Sequence, residues 1–120
     1  MGAVFMTAQE ILFQKFKTSS QEPVRLRLAL DGFFASDTPQ PIREQYEIYL
    51  RRRVRPALEA LIAAEDMTHL EALENLGWLN AALIEDSLKF AAKEKKMEPF
   101  VWLLRKKTEK YGFSDREFPL

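Results

Sequence analysis

Apolar residues recur along this chain every three to four positions, and no stretch alternates with the two-residue rhythm of a strand. Thr7 followed by Glu10 forms a capping box, in which each residue can satisfy an amide of the other. It opens a helix that runs to about Lys17, with Ile11, Leu12 and Phe16 on one side and Phe13 near the edge. Ser19, Ser20, Gln21 and Glu22 repeat the start signal. Pro23 falls in the first turn, where a missing N–H costs little. The helix that follows carries Val24, Leu26, Leu28, Leu30, Phe33 and Phe34, apolar on more than one face, the pattern of a helix wedged between neighbours. Asp31 and Gly32 lie inside this run and read as a local helix irregularity rather than a hairpin turn. Pro39 and Pro41 end it, because two prolines so close cannot propagate a helix.

A third helix starts near Ile42. Tyr46, Leu50, Val54, Leu58 and Ile62 form one stripe at four-residue spacing, flanked by Tyr49, Ala57 and Leu61. Pro56 interrupts this stripe without changing its phase, which predicts a long helix kinked near Arg55, with two helices meeting there as the alternative. Asp66 and Met67 then turn the chain. Thr68 with Glu71 reads as another capping box, opening a helix lined by Leu70, Leu73 and Leu76 and closed by Gly77. Asn80 suits the N-cap of the next helix, whose apolar positions are Leu83, Ile84, Leu88, Ala91 and Ala92. Residues 93–96 turn again. The last helix starts at Pro99, carries Phe100 to Leu104 as its buried half and stops at Gly112. The whole is an all-α chain of five or six helices. Two helical hairpins between Val54 and Lys110 are joined through Gly77, Trp78, Leu79 and Asn80.

Composition narrows this picture. A chain of 120 residues, 47% hydrophobic and 30% charged, has the size and balance of one globular domain. Within it, residues 7–35 cap one end, residues 41–110 form the long helix and the stacked hairpins, and residues 112–120 are a tail. Without cysteine, disulfides, thiol catalysis and thiolate metal sites are excluded, in keeping with a cytoplasmic location. The 18 basic and 18 acidic residues cancel, so no global charge draws the chain to nucleic acid or anionic lipid. Their placement is uneven. Seven acids and no Lys or Arg fall between Glu59 and Asp86, and eight basic residues against three acids between Lys89 and Lys110. Blocks of opposite sign on neighbouring helices are expected to pair within the fold. No apolar run approaches the roughly 20 residues of a membrane span, so no membrane partner is expected. Residues 1–5 lack the features of a signal peptide, and Met6 stands where a myristoylation signal needs Ser or Thr.

The segment from Phe90 to Leu104 resembles the two-helix part of an ankyrin repeat. Ala91 and Ala92 match the paired alanines of the inner helix, Glu98 the acid after the turn, Pro99 and Phe100 the apolar pair, and Trp102, Leu103 and Leu104 the leucine run. The segment from Leu61 to Gly77 is similar to the same unit, with Gly77 as its closing glycine. Ala63 and Ala91 stand 28 apart where the repeat period is about 33 residues. The Thr-Pro-Leu-His opening is absent, and Lys95 replaces the turn glycine. The resemblance implies a right-handed stack of helical hairpins that binds other proteins but lacks clear β-turn fingers. Stacking is also what such hairpins require physically, since each has one apolar face too small to fold alone.

The polar candidates for chemistry are few. His69 is the one histidine, with Glu65 and Asp66 just before it, but a third and fourth metal ligand are not in view, and a helix-start histidine in an acidic setting is expected. Glu85 and Asp86 sit among helix-surface positions with no nucleophile or glycine loop beside them, so a solvated face is expected rather than acid–base chemistry. No phosphate-loop, G-x-S-x-G or H-E-x-x-H motif is present, and neither enzyme activity nor a cofactor is expected. The sharpest feature is the basic cluster Arg51, Arg52, Arg53 and Arg55. Consecutive helix positions fan over about 200°, so the four cannot share one face. Arg53 falls near the apolar stripe, where its head could meet Glu59 or Glu85.

Trp102, in the densest apolar run, is expected in the core, and Trp78, in the connecting loop, at the surface as an interface anchor. Phe113, Phe118 and Leu120 in the tail either dock back or await a partner. These features predict a non-enzymatic protein-interaction module that uses Arg51, Arg52, Arg55, Trp78, Lys95 and Lys96 against a protein partner of acidic character. A small helical nucleic-acid binder, working through the arginine cluster and Arg105, Lys106 and Lys107, is the alternative. The expected state is a monomer or weak homodimer.

Overall fold

A computed structural model describes residues 5–111, and among them every regular element is a helix. The helices are α1 (Ala8–Thr18), α2 (Glu22–Phe34), α3 (Gln40–Arg51), α4 (Val54–Ala63), α5 (Met67–Asn75), α6 (Ala81–Lys93) and α7 (Met97–Tyr111). The chain forms two compact units, Met1–Ala57 and Leu58–Leu120. None of the described helices is long and apolar enough to cross a membrane. Gly112 and the tail positions Phe113, Phe118 and Leu120 lie outside the described residues.

In the first unit α2 packs against both α1 and α3, as its apolar character on more than one face requires. The capping box that opens α1 is formed as expected: the Glu10 amide donates to the Thr7 hydroxyl, and the Thr7 amide to the Glu10 carboxylate. The inner side of α1 is Gln9 and Phe16, whereas Ile11, expected inside, is 56% exposed. Phe16 meets Tyr46 and Tyr49 edge-on, with ring centroids 5.1 and 4.9 Å apart, and Phe13 meets Tyr46 at 5.6 Å. Gly32 belongs to α2 itself. A Cβ there would overlap the Tyr46 ring, so glycine lets that ring lie against the helix backbone.

The turn after α2 is closed by polar contacts. The Thr38 hydroxyl donates to the Gly32 carbonyl at 2.5 Å. The Arg43 guanidinium reaches back from α3 to the carbonyls of Phe33, Ala35 and Thr38 at 2.7, 3.0 and 3.1 Å. The last carbonyls of a helix have no partner within it, and Arg43 supplies one to Phe33.

The chain does not kink at Pro56 but takes the alternative arrangement, two helices meeting, with Arg52 and Arg53 between them, which is why seven helices form rather than five or six. Arg52 caps α3, and the Arg53 amide donates to the Leu50 carbonyl in a tightened last turn. The Arg53 carbonyl then accepts from the Ala57 amide, so the new helix starts at Val54 with Pro56 as its third residue. There the missing proline N–H is one of the four that need no intrahelical partner. Tyr46 and Leu50 are buried in the first unit, and Leu58 and Ile62 in the second.

In the second unit three helices end the same way. After α4, the Glu65 amide donates to Ile62 and the Asp66 amide to Leu61; after α5, Gly77 donates to Glu74 and Trp78 to Leu73; after α6, Lys95 donates to Ala92 and Lys96 to Ala91. Each is a Schellman motif, with Glu65, Gly77 and Lys95 at φ of 54°, 79° and 58°. The turns at Glu65 and Lys95 stand thirty positions apart. Counted from them, Ala91 is equivalent to Leu61 rather than to Ala63.

The N-cap of α5 is Asp66, not Thr68: its carboxylate accepts from the His69 amide, which begins the helix earlier than the expected capping box. Asn80 caps α6 as expected, accepting from the Leu83 amide at 2.8 Å. α6 and α7 pack closely as a hairpin, whereas α4 and α5 share the connecting turn but not this close packing. Leu58, Leu61, Ile62, Leu70, Leu73, Ile84 and Leu103 are fully buried. Leu76, expected along the inner line of α5, caps that helix and is 51% exposed.

Candidate interaction surface

The arginine cluster divides at the α3–α4 break, as the fan of helix positions demands. Arg53 turns inward to α2, to Glu22 rather than to the expected Glu59 or Glu85. Its Nε donates to Glu22 Oε1 at 3.2 Å and its guanidinium lies 4.0 Å from the Tyr49 ring centroid. The Tyr49 hydroxyl donates to the same oxygen at 2.6 Å, and Arg25 pairs with the other at 3.2 Å while lying over Phe16 and Tyr49. Burial, reinforced by the bond to Glu22, pushes the Tyr49 hydroxyl up to about 12. The same hydrogen bond, with Arg53 and Arg25 beside it, lowers the Glu22 carboxyl below its usual range. This cluster ties α1, α2 and α3 together. Its geometry holds a carboxylate already neutralised by two cations, so it is a structural knot rather than an open site.

Arg51 and Arg52 go the other way. Both are exposed, and with Glu44, Glu47 and Ile48 they line a groove of about 460 Å3 along α3. Ile48 is 52% exposed, the one large apolar side chain on that face. Ile48 lies off the buried stripe and so is not among the residues expected to form a site; its phase, two residues from both Tyr46 and Leu50, is the signal in the sequence that places it outward. Arg55 is exposed on the first turn of α4 and does not line this groove.

The remaining sequence candidates belong to the second unit. Trp78 is only 8% exposed, which corrects its expected place at the surface. It is the residue after the positive-φ glycine of the Schellman motif, a position that characteristically folds back onto the preceding helix. Trp102 is buried as expected. Lys95 is exposed and Lys96 half-buried, adjacent in the α6–α7 turn. The expected pairing of opposite charge blocks occurs here. Lys107 meets Glu85 at 2.6 Å, and Lys110 meets the buried Glu74 at 2.5 Å, a bond that raises the Lys110 ammonium above its ordinary value. Lys106 pairs with Glu109 and lies over Trp102, so two of the three residues in the Arg105–Lys107 run are engaged within the unit.

His69 is held by its own cap: Nδ1 lies 2.7 Å from Asp66 Oδ2 while its amide donates to Oδ1. Among the described residues no group of three or more His, Asp or Glu side chains is arranged to hold a metal ion. Comparison of the chain with protein families, with curated proteins and with solved structures finds no match.

Proposed function

We propose that this chain is a non-enzymatic protein-interaction module, and that the outer face of α3 is its contact surface. The observation that carries the reading is the groove lined by Glu44, Glu47, Ile48, Arg51 and Arg52, where an exposed apolar side chain lies beside two exposed arginines. Arginine is enriched among the residues that dominate binding energy at protein interfaces, and an exposed apolar side chain beside it adds area to be removed from water on binding. The matching partner segment carries an apolar side chain for the Ile48 position and a carboxylate for Arg52. A kinship with ankyrin-type hairpin stacks belongs to the same proposal, supported by the equivalent turns at Glu65 and Lys95. Lys95 and Lys96 would then form a second, smaller contact at a turn edge. A nucleic-acid role draws less support, because Lys106 and Lys107 are paired with Glu109 and Glu85.

Quantitative affinity purification from the native cell tests the reading, with wild type beside Ile48→Asp and Arg52→Glu. Proteins captured by wild type and lost with both variants are the expected outcome. Identical captures with all three would remove α3 from consideration.

A further inference from the structure

Phe100 to Leu104 do not form a uniformly buried half of α7. Trp102 and Leu103 face inward, but Met97, Val101 and Leu104 are 63%, 47% and 39% exposed. Their spacing of four and three residues puts them on one line along the helix. Beside that line runs a groove of about 460 Å3, walled by Met67, Glu98, Trp102 and Arg105. Glu98 and Arg105, two helical turns apart, share the same flank of the strip. Both are exposed, and neither forms an ion pair with a described residue.

We propose that this face of α7 binds a second copy of this chain, the two α7 helices antiparallel about a twofold axis between Val101 and Trp102. The argument is charge complementarity under symmetry. A twofold axis at the midpoint of Glu98 and Arg105 brings the Glu98 carboxylate level with the partner's Arg105 on the same side of the helix pair, and repeats that ion pair on the other half. Val101 then meets its own symmetry mate near the axis, and Met97 meets the partner's Leu104. A foreign helix would have to reproduce an acid and a base at equal distances from an apolar midpoint, whereas a second copy supplies them automatically. The α3 face offers a weaker case, since Ile48 is its one large exposed apolar side chain and Arg51 already interacts within the chain. One helix face and its groove make a small interface, at or below roughly 1,200 Å2 in total, so the dimer is weak and its population depends on concentration.

Sedimentation velocity on the full chain, from micromolar to submillimolar concentration, tests the proposal. Wild type is expected to pass from monomer to dimer across that range. Glu98→Arg and Arg105→Glu each place like charges opposite one another at both ends, and each is expected to weaken association by about tenfold or more. Mixed together, the two variants restore an acid–base pair at both ends, so the mixture is expected to associate like wild type. Both positions are exposed, and an unchanged circular dichroism spectrum verifies that each variant is folded. A wild type that stays monomeric throughout overturns the proposal. So does an unweakened association of either variant, or a mixture that fails to recover.

Discussion

Between α1, α2 and α3, beside the buried Ala29, Leu30 and Leu50, the interior carries a cluster of rings and guanidinium groups: Phe13, Phe16, Tyr46 and Tyr49, with Arg25 and Arg53 over them and Glu22 joining the cations. From Leu58 onward the interior is chiefly leucine and isoleucine, and its long-range polar ties include lysine–glutamate pairs toward the end of α7. The first arrangement depends on a few contacts of defined shape and charge. The second depends on volume removed from water, a quantity indifferent to direction. The two units should therefore fail under different insults: the aliphatic one to truncation, the ring-filled one to added atoms and to high pH.

Truncation has the largest expected effect. Leu103→Ala removes a fully buried side chain and is expected to cost about 2–5 kcal/mol, read from urea unfolding. Trp78 and Trp102 both belong to the second unit, so their fluorescence reports that interior directly. Adding one methyl to the other unit comes next. Helix propensity alone would favour Gly32→Ala by about 1 kcal/mol, but overpacking against a boxed ring costs about 1–3 kcal/mol, so a net loss of melting temperature is expected. A stabilised variant would mean that Tyr46 can move aside.

The three Schellman turns sharpen the comparison within the second unit. Gly77→Ala forces a side chain into positive φ and is expected to cost about 1 kcal/mol, although space is open there. Lys95→Gly relieves that same strain and should add about 0.5–1 kcal/mol, both changes being measured as shifts in the thermal midpoint.

Smallest at neutral pH is the Tyr49 effect, which emerges only in alkali. Because burial and Glu22 raise the folded-state value to about 12 from 10.0, the stabilisation is fully present below pH 10 and is lost as pH rises toward 12. Ultraviolet titration of tyrosinate should show both Tyr46 and Tyr49 titrating late, and Glu22→Gln should bring Tyr49 alone earlier, though burial keeps it above the ordinary value. An unshifted titration would separate Tyr49 from Glu22.

What could be read from the chain was mostly local. Thr7 with Glu10, Asn80 and Gly77 act within three or four residues of themselves, and each caps or closes the helix it was expected to. A break before Pro56 could not be told from a kink because Val54, Leu58 and Ile62 continue the stripe of Tyr46 and Leu50 in phase, so periodicity alone cannot register two non-helical residues. Trp78 was misplaced because a loop position suggests exposure, whereas the turn geometry set by Gly77 decides its direction. Glu22 passed as a first-turn acid, since its partners Tyr49 and Arg53 lie 27 and 31 residues away. At the surface, Arg51 and Arg52 were legible as a basic cluster, but Ile48 between the acids and arginines needed the packed side of α3 to be known first.

The reach of Arg43 has a consequence for proteolysis. Ser36 and Asp37 are exposed, and exposed connections are where a protease ordinarily enters. A protease must first draw the segment into an extended form, and here the carbonyls of Phe33, Ala35 and Thr38 are all anchored to one guanidinium. The α2–α3 connection should thus resist limited digestion while the native fold lasts. With Arg43→Ala, cleavage between residues 35 and 39 should become the first cut.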